Sequence, residues 1–306
     1  MCYPSRLNPI TEDTVLRSRL ECLACVVQQG LRAARAATDD PELQRRIVDE
    51  VANRIADLDL EASPARNSQC AYSVANEVSG NQDPYKHARR IQNEMALALE
   101  PELRGLVENS SDSLVTALHL AAAGNVIDLG TGQSNDVHIH DAIEKALRER
   151  FAVDHTEALK ESLDACSDLL YLLDNAGEIV FDKILIEELQ RHTSVTAVVK
   201  GAPIINDAVF EDAEQVGLMR LCDVIDNGGP FIGSPPDLVP ESFRQRMMAA
   251  DMIVAKGQGN YETVDDFPGD VFLILKAKCE VVARHMGVQL GQVGLISTRI
   301  RRTSRT

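Results

Sequence analysis

Apolar positions follow two different rhythms along the chain. From about residue 14 to 113 they recur at helical spacing in sequence rich in Ala, Leu, Glu, Arg and Gln, with few β-branched alternations. Helices are expected at 18–37, 41–56, 84–99 and 101–122, each preceded or interrupted by a turn signal or a proline suited to a first turn. The polar, Gly-containing stretch 67–83 is expected to be a mobile loop or a cover over a site, and the basic first half of the next helix (Lys86, His87, Arg89, Arg90) a solvated face. Beyond residue 123 short apolar runs alternate with amphipathic stretches. Strands are expected at 125–129, 169–173, 195–199, 221–225, 251–255 and 271–275, with helices such as 178–191, 241–249 and 279–286 between several of them. This alternation implies a mostly parallel sheet with helices on both faces. The expectation is an α/β protein: an all-helical domain over 1–122 and a three-layer α/β/α domain over 123–306. The last residues, 299–306, read as a basic, solvated and disordered tail.

The sharpest change of pattern lies between Asp168 and Lys200. The apolar run Leu169 to Leu173 stops at Asp174-Asn175-Ala176-Gly177, and an amphipathic pattern begins at Glu178. A buried strand, a tight loop and a helix are expected there. Asp174 and Asn175 then stand at the carboxyl end of a parallel strand, where open α/β sheets place their ligands, and they are candidates for a hard-cation site. Asp and Asn also favour turns and helix caps for reasons unconnected with function.

Composition narrows the field. With 306 residues, 44% of them hydrophobic, the chain can bury a substantial core. Its formal charge of −16, from 31 basic and 47 acidic residues, argues against a general binder of nucleic acid or anionic membranes, and the 4% of aromatic residues leaves little for stacking bases. No apolar run reaches the length of a membrane span or resembles a signal peptide, so a cytoplasmic protein with small-molecule partners is expected. Seven scattered cysteines do not suggest a disulfide framework. Cys22 and Cys25 form a CxxC on one helix face, either packed in place or half of a zinc or redox site, and zinc would need two further ligands.

Several expected strands end in polar, Gly-containing loops. They carry Asn125 and Asp128; Asp174 and Asn175; Lys200 with Asp207; Asp226 and Asn227; and Lys256 with Asn260 and Glu262. Repeated acid and amide loops with two lysines are hard to attribute to turns alone. Hard oxygen ligands suit Mg²⁺ or Mn²⁺, with Co²⁺ or Ni²⁺ as further candidates, and Lys200 and Lys256 supply positive charge, with a flexible backbone around Lys256 able to turn amides towards an anion. A cation beside lysines matches the needs of a phosphate monoester, whose transfer depends mainly on positioning and charge stabilisation.

The combination of CLAC near the N-terminus, AGNVID at 123–128, DNAGE at 174–178, VVKGAPIIND at 198–207, KGQGNYE at 256–262 and LKAKC at 275–279 resembles the damage-control phosphatases, the domain-of-unknown-function-89 family. The early CxxC and the compact length are most similar to its prokaryotic-type branch. The resemblance implies a helical domain on an α/β/α domain, and metal-dependent hydrolysis of small phosphorylated metabolites, sugar phosphates or damaged ones. It places the metal-binding pair on Asp174 and Asn175 and the third ligand on Asp207. Phosphate binding falls on Lys256, with Asn260 and Glu262 nearby, and Asn125 and Asp128 lie in the matching first motif; a mechanism consistent with residues and resemblance together adds Lys200 as a second phosphate-neutralising lysine. Both lines of reasoning lead to attack by a metal-activated water. An aspartyl-phosphate at Asp174 is disfavoured, because the Asp-x-Asp of haloacid-dehalogenase-type phosphatases is broken here by Ala176.

Two other readings compete. Ile127 to Ser134 resembles the glycine-rich first motif of S-adenosylmethionine-dependent methyltransferases, although the glycine pattern is incomplete and the next strand lies too far along. A non-catalytic metal- or nucleotide-binding module fits the Gly loops, but neither GxxxxGK[ST] nor GxGxxG occurs. His138 and His140 are expected in surface or capping roles, Cys279 in packing at a helix start, and Lys278 is a possible reach into the site.

Overall fold

The computed structural model describes residues 15–125 and 136–303. Five helices come first: α1 (Leu20–Ala37), α2 (Pro41–Arg54), α3 (Pro64–Ser79), α4 (Lys86–Glu108) and α5 (Ser113–Gly124). Then follow α6 (Asp136–Arg148), β1 (Val153–Asp154), α7 (Thr156–Leu163), β2 (Asp168–Leu172), α8 (Glu178–Leu189), β3 (Ser194–Val199), α9 (Phe210–Gln215), β4 (Asp223–Asp226), α10 (Glu241–Ala249) and β5 (Met252–Lys256). The chain ends with α11 (Gly257–Val264), β6 (Val271–Lys276), α12 (Glu280–Met286), β7 (Val293–Ser297) and α13 (Thr298–Thr303).

The strands form one seven-stranded sheet in the order β1-β7-β6-β5-β2-β3-β4. All neighbours pair in parallel except β6 and β7. The α/β class with a mostly parallel sheet is therefore as expected. From β2 the chain moves outward through β3 and β4, then returns to the other side of β2 as β5 and continues to β6. The reversal leaves a crevice between the carboxyl ends of β2 and β5, the place where such sheets bind ligands.

Alternate residues of each strand face opposite layers. Leu169, Tyr171, Val195, Val254 and Phe272 share a core with α4, α5, α7 and α8. Leu170, Leu172, Val198, Ile253 and Leu273 share another with α10, α11 and α12. Of the helices in the first 122 residues, α1, α2 and α3 have a core of their own, joined by Ile204, while α4 and α5 belong to the sheet's.

Four local expectations are corrected. The polar stretch 67–83 is mostly helix α3: Ser63 caps it by accepting from Arg66 N, Pro64 opens its first turn, and buried Asn67 is satisfied by Ser18 Oγ at 2.8 Å and Asp59 O at 2.7 Å. Pro101 does not divide two helices. Helix α4 runs through it to Glu108, and α5 starts afresh under Asp112, which accepts from Val115 N. Arg89 is not on a solvated face but buried. The basic tail is helical to Thr303, with Arg302 donating to Phe267 O at 2.8 Å and Gly269 O at 2.7 Å. The strand expected at 125–129 lies, apart from Asn125, outside the described residues, as does Asp128.

Candidate active site

The loop after β2 and the loop after β3 are zipped together. Ala208 N donates to Asp174 O at 2.8 Å, Ala176 N donates to Asn206 O at 2.9 Å, and Asn175 and Asp207 form an antiparallel bridge. The fold thus brings Asp174, Asn175 and Asp207 into one place, although 31 other positions separate the last two. Ile205 takes a left-handed φ of +46°, an unfavourable conformation for a β-branched residue. Ile204 and Ile205 pack into the core of α1, α2 and α3, which holds that loop in place.

Asp174 is buried at the crevice between β2 and β5. A Cβ on Gly257, the residue following β5, would collide with Asp174 Oδ2, and Gly257 also has φ +80°. Only glycine lets the backbone come so close to the carboxylate. Asn125 Nδ2 donates to Asp174 Oδ2 at 3.3 Å and to both oxygens of Glu178 at 3.1 Å, and Asn175 Nδ2 donates to Asp174 Oδ2 at 3.0 Å and Glu178 Oε1 at 2.8 Å. Asn125 Oδ1 accepts from Lys276 N at 3.1 Å, tying the site to the end of β6.

Charge at this edge is unbalanced. Asp174, Glu178, Asp182 and Asp207 are buried, against Lys200 and Lys256. Burial, then the charges of Asp207 and Glu178, push the Asp174 carboxyl well above its usual range. Burial likewise lifts Asp207 to about 6 despite Lys200, and Asp182 to about 6 despite Lys256. Carboxylates held this way call for a further positive charge. The donor set of Asp174, Asn175 and Asp207 is hard oxygen, which fits Mg²⁺ or Mn²⁺. No three His, Cys, Asp or Glu side chains among the described residues are grouped so as to hold a metal ion, so a cation at this point needs amide oxygen as well.

The two lysines singled out in the sequence are occupied. Lys256 Nζ donates to Asp182 Oδ1 at 2.6 Å and lies 3.7 Å from Glu178 Oε2, with both Lys256 and Asp182 wholly buried. Burial opposes its charge, but Asp182 and Glu178 prevail and hold the ammonium above its ordinary range. Lys200 Nζ donates to Gly233 O at 2.8 Å and stands 3.4 Å from Asp207 Oδ2. Nor is 257–262 a flexible loop, since it forms α11. There Asn260 ties the helix to the end of β2, donating to Leu173 O at 3.1 Å and Lys256 O at 2.8 Å. Glu262 is buried, accepts from Gln258 at 2.8 Å, and is raised by burial to about 7.

Positive charge that forms no salt bridge among the described residues comes instead from the end of β6. Lys278 is exposed and its charge favours ionisation of both Asp174 and Asp207. Lys276 is half-buried, and burial with Lys278 and Lys145 lowers its affinity for a proton. Two lysines brought together at the end of one strand suit an anionic ligand.

Of the other residues considered, Cys22 is buried and Cys25 exposed. The fold brings Cys279 and Glu262 towards Cys22, and burial, then the charges of Glu262 and Cys279, raise the Cys22 thiol above its usual value. Cys279 caps α12, as its place at a helix start suggested. His140 Nδ1 faces Glu102 Oε1 at 3.1 Å on the surface, while the side chain of His138 lies outside the described residues. Sequence reasoning did not single out Asp182, Glu178 as a buried acid, Gly257 as a close-approach glycine, or Asn93, whose Oδ1 accepts from Gly177 N at 2.7 Å. The FDK sequence around Asp182 offered one signal, a charged pair set between the apolar runs 179–181 and 184–186 of α8.

Comparison with known proteins gives a consistent result. Residues 18–293 match the family described as the damage-control phosphatase ARMT1-like domain. A damage-control phosphatase of Pyrococcus horikoshii is 33% identical over 280 residues, covering 90% of this chain and 96% of the relative. One of Archaeoglobus fulgidus is 34% identical over 280 residues, covering 89% and 96%. The crystal structure of a DUF89 family protein from P. horikoshii superposes with a TM-score of 0.85 at 33% identity, covering 92% of this chain and 99% of that one.

Proposed function

The chain belongs to the damage-control phosphatase ARMT1-like family, and on that footing we propose that it is a divalent-cation-dependent phosphatase of small phosphate monoesters, sugar phosphates or damaged metabolites. The observation that carries this reading is the pairing of a buried acidic cluster, Asp174 with Asp207 and Glu178, with the lysines at the end of β6. On the acidic side four buried carboxylates face only Lys200 and Lys256, and on the other side the lysines at the end of β6 have no salt bridge among the described residues. A cation and a phosphate group together complete both.

Asp174, Asn175 and Asp207 hold the cation, Mg²⁺ or Mn²⁺ by their donor chemistry. When bound it supplies Lewis-acid polarisation of the phosphate and a water of lowered pKa. The chain's own residues do the rest. Lys278 and Lys276 neutralise the phosphate oxygens, taking the part that the sequence suggested for Lys256. Lys256 and Lys200 partly compensate the buried acids, favouring the ionised forms of Asp182 and Asp207 against the effect of burial. Asn125 and Asn175 orient Asp174 and Glu178 through their amide donors. Attack by water is favoured over an aspartyl-phosphate, since Ala176 stands where a second acid would serve.

Family membership weighs against the methyltransferase reading, and the stretch that suggested it, 127–134, lies outside the described residues. Among the described residues no helix is long and apolar enough to cross a membrane. The test is hydrolysis of p-nitrophenyl phosphate and a panel of sugar and cofactor phosphates by metal-stripped protein, with Mg²⁺, Mn²⁺, Co²⁺ or Ni²⁺ restored, beside Asp174→Ala and Lys278→Ala. Metal-restored turnover absent from Asp174→Ala, and a raised KM in Lys278→Ala, are expected. Folded protein inactive with every metal and ester would refute the proposal.

A further inference from the structure

The two loops of the candidate site are gripped from outside the sheet by one face of α4. Arg89, Gln92 and Asn93 stand at i, i+3 and i+4, so they share a face, and all three are buried. A helix that buries an arginine and two amides loses stability unless each polar group is satisfied. Here the partners are the site loops, helix α9 and Asp83.

Asn93 Oδ1 accepts from Gly177 N at 2.7 Å, at the end of the Asp174–Gly177 loop where α8 begins. Its Nδ2 donates to Asp212 Oδ1 at 2.8 Å and Gln215 Oε1 at 2.9 Å. Gln92 Oε1 accepts from Asn206 Nδ2 at 3.1 Å, beside Asp207. Arg89 Nε donates to Asp212 Oδ2 at 2.9 Å, and its other nitrogens hold Asp83 at 2.7 and 3.0 Å. Asp212 Oδ2 in turn accepts from Val209 N at 3.0 Å, fixing the chain just beyond Asp207. One rigid helix thus sets both sides of the Asn175–Asp207 bridge.

We propose that Asn93, together with Gln92, is a positioning residue for the cation site, acting through the loops that present Asp174, Asn175 and Asp207. The inference rests on the metal-dependent reading above. It gives α4 a part in the chemistry beyond covering the sheet: the helix holds in advance an arrangement that repulsion among buried carboxylates would otherwise spread apart. Residues behind a metal's ligands that fix their orientation typically change metal affinity when removed.

The experiment measures Mn²⁺ affinity by electron paramagnetic resonance on the full chain, with folding checked by circular dichroism at the same temperature. Asn93→Ala is expected to weaken Mn²⁺ binding about 10- to 100-fold. Gln92→Leu should weaken it too, while Gln92→Glu, which keeps an acceptor for Asn206 Nδ2, should retain affinity. Leu103→Ala, in the apolar part of the same helix, is the stability control: it should lower the melting temperature and leave Mn²⁺ affinity unchanged. Wild-type affinity in both Asn93→Ala and Gln92→Leu, or equal weakening in Leu103→Ala, would overturn the proposal. If Asn93→Ala does not fold, the contrast between Gln92→Leu and Gln92→Glu decides. A wild-type chain that binds no Mn²⁺, Mg²⁺ or Co²⁺ would instead remove the metal-dependent reading itself, and this inference with it.

Discussion

Asp174 and Gly257 approach so closely that the carboxylate occupies the space a side chain at residue 257 would need. The contact joins the end of β2 to the start of α11 across the crevice where the strand order reverses. Replacing Gly257 by alanine must displace Asp174 and strain a backbone at φ +80°. Such strain costs on the order of 1–3 kcal/mol, and moving a reacting group by about an ångström can lower turnover about 100-fold. Gly257→Ala is therefore expected to fold with a lower melting temperature and lose nearly all phosphatase activity. Calorimetry and a phosphate-release assay on one preparation would check both effects.

Lys256 is expected to matter through Asp182 more than through substrate. Removing one member of a buried pair leaves an uncompensated charge, at about 3–5 kcal/mol. Lys256→Met should be destabilised to that degree. Pairing it with Asp182→Leu should recover much of the loss, a coupling measurable by urea denaturation of the two single variants and the double. Simple additivity of the two effects would show that the pair is not coupled as its 2.6 Å contact indicates.

Acid groups raised by burial give stability a definite direction with pH. Glu262 at about 7 and Asp182 at about 6 bind protons in the folded chain at pH values where their unfolded counterparts, ordinary carboxylates near 4, have released them. Folded protein then carries more protons than unfolded protein, so this contribution favours folding at low pH and is lost as pH rises from about 4 towards 7. Metal-stripped protein should show a falling melting temperature over that window, and Glu262→Gln should flatten the upper part of it. An unchanged slope in Glu262→Gln would mean that Glu262 is not the titrating group.

The sequence announced the sheet because fully buried parallel strands read as uninterrupted apolar runs, and five of the six expected strands correspond to β2 to β6. It concealed β1 and β7. The first has only two residues, and the second follows a turn close to the end of the chain. Helix α3 was hidden because its buried face mixes Asn67 and Ser68 with alanines, Tyr72 and Val74, and the hydrogen bonds that let Asn67 and Ser68 be buried are not revealed by any apolar period. The meeting of the loops that carry Asp174, Asn175 and Asp207 was legible because turn chemistry after a strand combined with family motifs. The state of Lys256 was not, since a lysine next to a glycine loop reads as a ligand-binding group until its partner, Asp182, is brought 74 positions along the chain to meet it. Asn93 was equally hidden, because its acceptor role depends on the packing of α4 against α8.

The proposed role of the buried acids in the loops after β2 and β3 is to hold a divalent cation on which phosphate-ester hydrolysis depends. Its most direct test is to titrate Mn²⁺ into metal-stripped protein and follow bound Mn²⁺ by electron paramagnetic resonance and phosphate release on the same samples, beside Asp207→Asn. Binding and turnover that rise together, and that both weaken in Asp207→Asn, are the expected result. Turnover at full rate without metal, or Mn²⁺ binding that Asp207→Asn leaves untouched, would contradict the account.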